Sequence, residues 1–323
     1  MAGETFGIGI GARSLVRLPL PLRRRALWLA HGLTHAAKRI RGGLRGRPAG
    51  TGHAELFMKI LRLPRGEALH LERAAALHDR MTETEWAALL LRDIRASQRD
   101  LRHIRVEEPE TFRRLAETGR PVILAPLHMG AYVGGLAHTM LTYFPGRPML
   151  VLRQRDDMPL ETAVIERIRE VGVEMRFLQV GNRKDFLSAV RFARNGAVIV
   201  VFCDLDPSYG APAAMPIFGL PTRFAFGTDT LARLTNAVVV PWVTEMETGG
   251  DTIRIGTPFE VYADSPEERA RAAGHMRRHI EDCLRRRPEQ WHLWSLLSDY
   301  LPPSDIMPDA ADAAAPDPVR DAA

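Results

Sequence analysis

The sequence predicts an α/β protein with a mostly parallel central sheet flanked by helices and a helical layer on the N-terminal side. Three observations lead there. From Pro121 to Val243, short apolar runs alternate with amphipathic stretches, and strands alternating with ~10 to 15-residue helical patterns mark βαβ units. From Glu67 to Thr118, apolar residues recur at helical spacing instead. The chain has 323 residues, 46 % hydrophobic and 26 % charged, a globular composition with length enough for a sizeable core.

Residues 1–50 read as a basic leader. Ten Arg and Lys face the single acid Glu4, a net of +9, which leaves −4 for the rest of a chain whose formal charge is +5. A basic segment on a mildly acidic body calls for an anionic surface partner. Leu27, Trp28, Leu29, Leu33 and Ile40 interleave with Arg23, Arg24, Arg25, Lys38, Arg39 and Arg41, which suits a helix lying in a lipid headgroup layer. The glycines Gly32, Gly42, Gly43 and Gly46 weaken that helix and leave a disordered basic arm as the alternative. Phe6 and Trp28 are the leader's aromatics, too few for base stacking, so no nucleic acid is expected. No long uncharged apolar run marks a membrane-spanning helix, and no small-residue cleavage pattern marks a signal peptide.

The body occupies residues 51–301. Two or three helices fill 67–118, with Thr82 or Thr84 placed to cap a helix whose buried face is Trp86, Leu89, Leu90 and Ile94. Strand runs follow at 121–126, 147–153, 173–178, 197–202 and 237–243, separated by helical patterns at 131–143, 160–171, 185–195 and 228–235. An alternating strand over 252–261 is placed at a sheet edge. A long helix over 266–287 opens on Glu267 and Glu268 and closes on Arg285, Arg286 and Arg287, charges that complement its dipole. The Ala-, Asp- and Pro-rich tail, 302–323, has little to bury and is expected to be disordered. Two cysteines, Cys203 and Cys283, in no CxxC pair, point to neither a disulfide scaffold nor a thiolate zinc site.

In such sheets ligands bind beyond the carboxyl ends of the strands, so the residues after each apolar run are the candidates. His128 ends the run VILAPLH beside a helix N-terminus. It suits a general base, with helix amides near enough to hold an oxyanion; a capping or packed histidine is the other reading. His138 reads as structural. Arg153 and Arg155 suit phosphate recognition or a solvated loop paired with Asp156 and Asp157. Asp204 and Asp206 lack the partners of a metal site, and no metal is expected. Cys203 reads as a small buried hydrophobe, Arg223 as either a pocket or a surface residue, and Phe218, Phe224 and Phe226 as walls.

Four segments carry a resemblance in order. VILAPLHMGAYVG, VLRQRDDMPLETAVIERIREVG, the stretch from FARNGAVIVVFCDLDPSYG to AVVVPWV, and IEDCLRRRPEQWHLW together resemble the late acyltransferase family of lipid A biosynthesis, within the lysophospholipid acyltransferase superfamily. The resemblance makes His128 the opening histidine of an H-x-G-N-W-E motif. Gly130 falls on its glycine and Tyr132 on its aromatic, Ala131 replaces the Asn, and Val133 stands where the family has its acid. Arg153 falls on a family arginine, Asp204 on the aspartate after the fourth strand, and Phe218 with Gly219 on an F-x-G. After PEQW the family continues with Arg and Trp, whereas this chain has residues 295–300.

The resemblance implies acyl transfer from a thioester donor, acyl carrier protein or acyl-coenzyme A. The acceptor would be an amine or hydroxyl of a lipid or small molecule, and the protein would sit peripherally on the cytoplasmic side of the inner membrane with no cofactor. His128 and Asp204 are then the catalytic candidates, and Arg153, Gly130, Tyr132, Phe218 and Arg223 the substrate-binding ones. Valine at 133 can neither orient an imidazole nor stabilise its charged form. Either Asp204 or Asp206 reaches His128 from the next strand end, or the acceptor is a nucleophile, such as an amine, that needs little base assistance, or the pocket binds a lipid or metabolite without reaction. On the second reading, Val133→Glu should raise hydroxyl acylation.

Overall fold

The computed structural model describes residues 14–43, 53–153, 159–179 and 183–302. The N-terminal layer comprises α1 (Leu20–Gly43), α2 (His53–Ile60), α3 (Arg65–Leu91) and α4 (Ile94–Leu101). The remaining elements are β1 (Ile104–Val106), α5 (Glu110–Glu117), β2 (Val122–Pro126), α6 (Tyr132–Tyr143), β3 (Met149–Arg153), α7 (Pro159–Glu170), β4 (Met175–Gln179), α8 (Arg183–Ala193), β5 (Val198–Val200), β6 (Pro212–Ala214), β7 (Arg223–Ala225), α9 (Thr228–Thr235), β8 (Val238–Met246), β9 (Asp251–Ile255) and α10 (Pro266–Arg286).

Seven strands form one sheet in the order β1-β9-β8-β2-β5-β3-β4. Five run together, from β8 to β4, while β9 pairs antiparallel with β8 and parallel with β1. The fold is therefore the predicted α/β class. The central strands read as unbroken apolar runs because both faces are covered. Val122 and Leu124 point into a core shared with α6 and α7, whereas Ile123 and Ala125 point into one shared with α8, α9 and α10.

Two local expectations change. The strand at 252–261 is not at an edge: β9 lies between β8 and β1, and β1 escaped notice because three residues, one of them the exposed Arg105, carry almost no periodic signal. Thr82 and Thr84 are not caps but lie within the 27-residue helix α3, where Thr84 Oγ1 donates to the Arg80 carbonyl at 2.7 Å. The predicted face of Trp86, Leu89, Leu90 and Ile94 does pack on the core. At α10 the Ser265 side chain accepts the Glu268 N–H and starts the helix.

Within the leader, α1 packs against α3 through charge. Arg23 and Arg24 are buried. Arg23 pairs with Glu85 and reaches Asp100 at 2.7 Å, while Arg24 reaches Glu85 at 3.0 Å and Asp251 at 2.5 and 3.1 Å. Burial alone would raise the Glu85 carboxyl, but Arg24 and Arg23 more than offset it and hold it below the ordinary value. Burial pushes the Asp251 carboxyl up despite Arg24. These two guanidinium groups therefore hold the leader to the body and present no charge outward. Leu22, Trp28, Leu29 and Leu33 on the same helix are exposed, Trp28 by 57 % and Leu33 by 73 %.

Candidate active site

Pairing between β2 and β5 continues past the strand ends, with Val201 N–H donating to the Leu124 carbonyl at 3.0 Å and Cys203 N–H to that of Pro126 at 3.1 Å. This register carries Asp204 to the side of His128, 76 residues away in sequence. One carboxylate oxygen of Asp204 lies 2.8 Å from His128 Nδ1; the other accepts the His128 backbone N–H at 2.7 Å and Trp291 Nε1–H at 2.9 Å. Tyr300 donates its hydroxyl to the Asp204 carbonyl at 2.7 Å. The Asp204 side chain is fully buried, whereas that of His128 keeps 13 % of its surface exposed. Burial by itself pulls the His128 pKa down, but the carboxylates of Asp204 and, beyond it, Glu161 more than offset this and hold it above the ordinary histidine value.

The other ring nitrogen of His128, Nε2, faces Glu161 Oε1 at 3.8 Å. Glu161 sits in the first turn of α7, and Tyr132, at the first position of α6, donates its hydroxyl to that same oxygen at 3.0 Å. Burial, then the Glu161 charge, pushes the Tyr132 phenol well above its usual value, so it stays a donor. Arg153 ends β3, 3.9 Å from Glu161 Oε2, hydrogen-bonded to Thr162 and lying over the Phe177 ring at 4.5 Å. Phe202 stacks on the His128 imidazole at 4.0 Å between centroids.

Sequence reasoning thus singled out His128, Asp204, Tyr132 and Arg153, and the structure brings all four to one place. Gly130 stands beside them in a backbone role. Its φ is +59°, and a Cβ there would overlap the Thr244 carbonyl oxygen. Its N–H donates to the Gln290 carbonyl at 3.2 Å, and the His128 N–H is taken by Asp204, so neither amide is free for an oxyanion. Phe218 and Arg223 take no part in these contacts. The Phe218 N–H donates to Glu281 on α10 and its ring lies under the Arg285 guanidinium, while Arg223 sits on the β6–β7 ribbon. Phe224 and Phe226 are buried in the core.

Asp206 caps its own turn, accepting the Ser208 N–H at 2.8 Å, and does not reach His128. Arg155, Asp156 and Asp157 lie outside the described residues. Burial raises the Cys203 thiol well above its usual value, which leaves it inert. His138 shares Nδ1 with the Leu101 carbonyl at 3.1 Å. Among the described residues no His, Cys, Asp or Glu cluster could hold a metal ion.

Sequence reasoning missed Glu161, Phe202, Trp291 and Tyr300. An acid in a first helical turn reads as a dipole partner, which hid Glu161. The PEQW segment was visible, but its use was not: Gln290 clamps both backbone groups of Met246 at 2.7 and 2.9 Å, and Trp291 anchors Asp204.

A mostly parallel sheet whose carboxyl edge presents a histidine paired with a buried aspartate places the chain among α/β proteins with a candidate site at the strand ends. Residues 81–296 match the family model of the bacterial lipid A biosynthesis acyltransferases. The match covers more than half of the chain, which therefore belongs to that family. No curated protein matches it. Membership carries acyltransferase function in general terms, with an acyl donor and a lipid acceptor.

Proposed function

We propose that the protein moves an acyl group from a thioester donor, acyl carrier protein or acyl-coenzyme A, to an amine or hydroxyl acceptor, at the cytoplasmic face of the inner membrane. The observation that carries the reading is the His128–Asp204 contact at 2.8 Å. Asp204 holds the proton on Nδ1, so neutral His128 presents a lone pair at Nε2 to the acceptor. His128 takes the acceptor proton as the nucleophile attacks the thioester carbonyl carbon. The C–S bond then breaks, and the thiolate leaves with a proton returned by the imidazolium. Arg153 supplies the positive charge near the reacting groups, toward the oxyanion or a phosphate of donor or acceptor.

The first of the three readings left open by Val133 gains most support, because the orienting acid is present at another position. A hydroxyl acceptor therefore need not be disfavoured for want of a base. Peripheral attachment is supported by the exposed Leu22, Trp28, Leu29 and Leu33 on α1, with exposed Arg25 beside them; no described helix is long and apolar enough to cross a membrane.

The test offers purified protein lauroyl-coenzyme A with a panel of amines and hydroxyls and follows thiol release and product mass. Product from the parent and a loss of ~10² or more in His128→Ala are expected. Tight acyl-chain binding with no product from any acceptor would instead make this a lipid- or metabolite-binding protein.

A further inference from the structure

The His292 ring takes no part in the proton transfer, yet it touches the turn that carries the base. That turn, His128 to Gly130, meets the segment after α10 in an antiparallel bridge between Met129 and Trp291. Gly130 N–H donates to the Gln290 carbonyl at 3.2 Å, and His292 N–H donates to the His128 carbonyl at 3.0 Å. The buried Gly130 carbonyl is met by side chains instead. His292 Nε2 lies 3.1 Å from it, and the Thr82 hydroxyl of α3 stands farther off at 3.5 Å. On the other side of the ring, Nδ1 lies 2.9 Å from Oδ1 of Asp79, also on α3.

Carbonyl and carboxylate oxygens only accept, so both nitrogens of this ring must donate. Were Nε2 to accept from the Thr82 hydroxyl at 3.4 Å, its lone pair would point at the nearer Gly130 oxygen. His292 is therefore a double donor, which is the protonated ring, with Asp79 as its carboxylate. The Asp79 side chain is 52 % exposed, and an ion pair so open adds little to stability. What the pair does is aim Nε2–H at Gly130.

That aim matters because residue 130 is a glycine. Its φ is +59° and a Cβ would overlap the Thr244 carbonyl oxygen, so glycine is required there. Glycine is also the residue beside which a peptide plane turns over at least cost. Reversing the 130–131 peptide would shift His128 on one side and Tyr132, the first residue of α6, on the other. It would also strand the Nε2–H of a charged ring, so the His292 bond opposes it.

We infer that His292 is a positioning residue for acyl transfer: its double-donor ring holds the Gly130 carbonyl and keeps the turn that presents His128 Nε2 in one conformation. The inference deepens the acyl-transfer reading and rests on it.

The experiment gives the full chain lauroyl-coenzyme A with each amine or hydroxyl of the panel that the parent acylates, and compares His292→Leu with His292→Gln. The Leu variant fills the space without a donor. It should lower kcat by about tenfold or more, the scale of one charge-assisted hydrogen bond, with KM for lauroyl-coenzyme A changed by less than about threefold and urea unfolding close to parental. The side-chain amide of the Gln variant can donate to the same carbonyl and should return kcat to within about threefold of the parent. Independently of turnover, nitrogen NMR of histidine-labelled protein at neutral pH should show two protonated ring nitrogens for His292, assigned by their loss in His292→Gln. If the Leu variant keeps more than about a third of parental kcat, if both variants lose kcat equally, or if His292 carries a single ring proton, acyl transfer stands and this assignment falls. If the parent acylates nothing, both fall together.

Discussion

Replacing Asp204 by Asn separates orientation from folding. In the parent one carboxylate oxygen accepts two donors, the His128 N–H at 2.7 Å and Trp291 Nε1–H at 2.9 Å, while the other faces Nδ1 at 2.8 Å. An Asn side chain keeps the first two bonds with its carbonyl oxygen, which turns its NH₂ toward Nδ1. Nδ1 must then accept, the proton moves to Nε2, and the base disappears from the side that meets the acceptor. The analogous change in a serine protease costs about 10⁴ in turnover, or about 5 kcal/mol of barrier, and a loss of that order is expected here. Folding should suffer far less, by about 1–2 kcal/mol for weakening one charge-assisted hydrogen bond. Asp204→Ala would be a poorer probe, because it strands three donors at about 1–3 kcal/mol each in a fold whose whole stability is about 5–15 kcal/mol. The assay is thiol release from lauroyl-coenzyme A at saturating acceptor, beside urea unfolding. An Asn variant that keeps more than about a tenth of parental turnover, with parental unfolding, would refute the tautomer argument.

The same pair sets a pH dependence. Because the His128 pKa is raised, the neutral base appears only as pH climbs through that value, so the acidic limb of kcat/KM should lie above pH 6.5 and move to lower pH in Asp204→Asn. For stability the sign is opposite: the imidazolium's contribution is complete below the ordinary histidine pKa of about 6.5 and fades as pH rises through the raised folded value, which urea unfolding between pH 6 and 9 would read. Val133→Glu should not raise hydroxyl acylation, contrary to the expectation from sequence, because Val133 is buried among apolar residues of α6 and its neighbours. A carboxylate there should cost roughly 3 kcal/mol or more, seen as a lowered melting temperature with no gain in rate. Membrane attachment is better tested by Leu22, Trp28, Leu29 and Leu33→Ser together than by deleting residues 1–50, since deletion would strip Arg23 and Arg24 from Glu85, Asp100 and Asp251. Partitioning to anionic vesicles should fall by about tenfold or more, and an unchanged value would sink the α1 surface reading.

The sheet was legible in the sequence because its central strands are covered on both faces, so 121–126, 197–202 and 237–243 stand out as apolar runs whatever their partners. Strand order within the sheet is different information. β1 lies against β9 through three residues, and no local pattern announces a strand that short. The histidine was legible because it ends a strand run; its acid was legible only as one of two candidates, Asp204 or Asp206, since their separation by one peptide pair hides which faces His128. Backbone register decides it, with Cys203 N–H on Pro126 fixing Asp204 toward the histidine and Asp206 turning to cap Pro207–Tyr209. Glu161 could not be found by spacing at all: α7 crosses over before packing back onto the sheet, and only that packing sets its carboxylate before Nε2.

Holding the acid beyond β5 rather than on α6 sets what the rest of the chain must do. A carboxylate at position 133 would be positioned by the first turn of α6. Asp204 instead depends on the segment that follows α10: Trp291 Nε1–H donates to the oxygen that also takes the His128 N–H, Tyr300 donates to its carbonyl, and His292 N–H donates to the His128 carbonyl at 3.0 Å. The C-terminal segment is thereby part of the base, and its Gln290 clamp on Met246 at the end of β8 ties that base to the sheet. Position 133 is thereby free to pack in the core, and Nε2 of His128 faces α7.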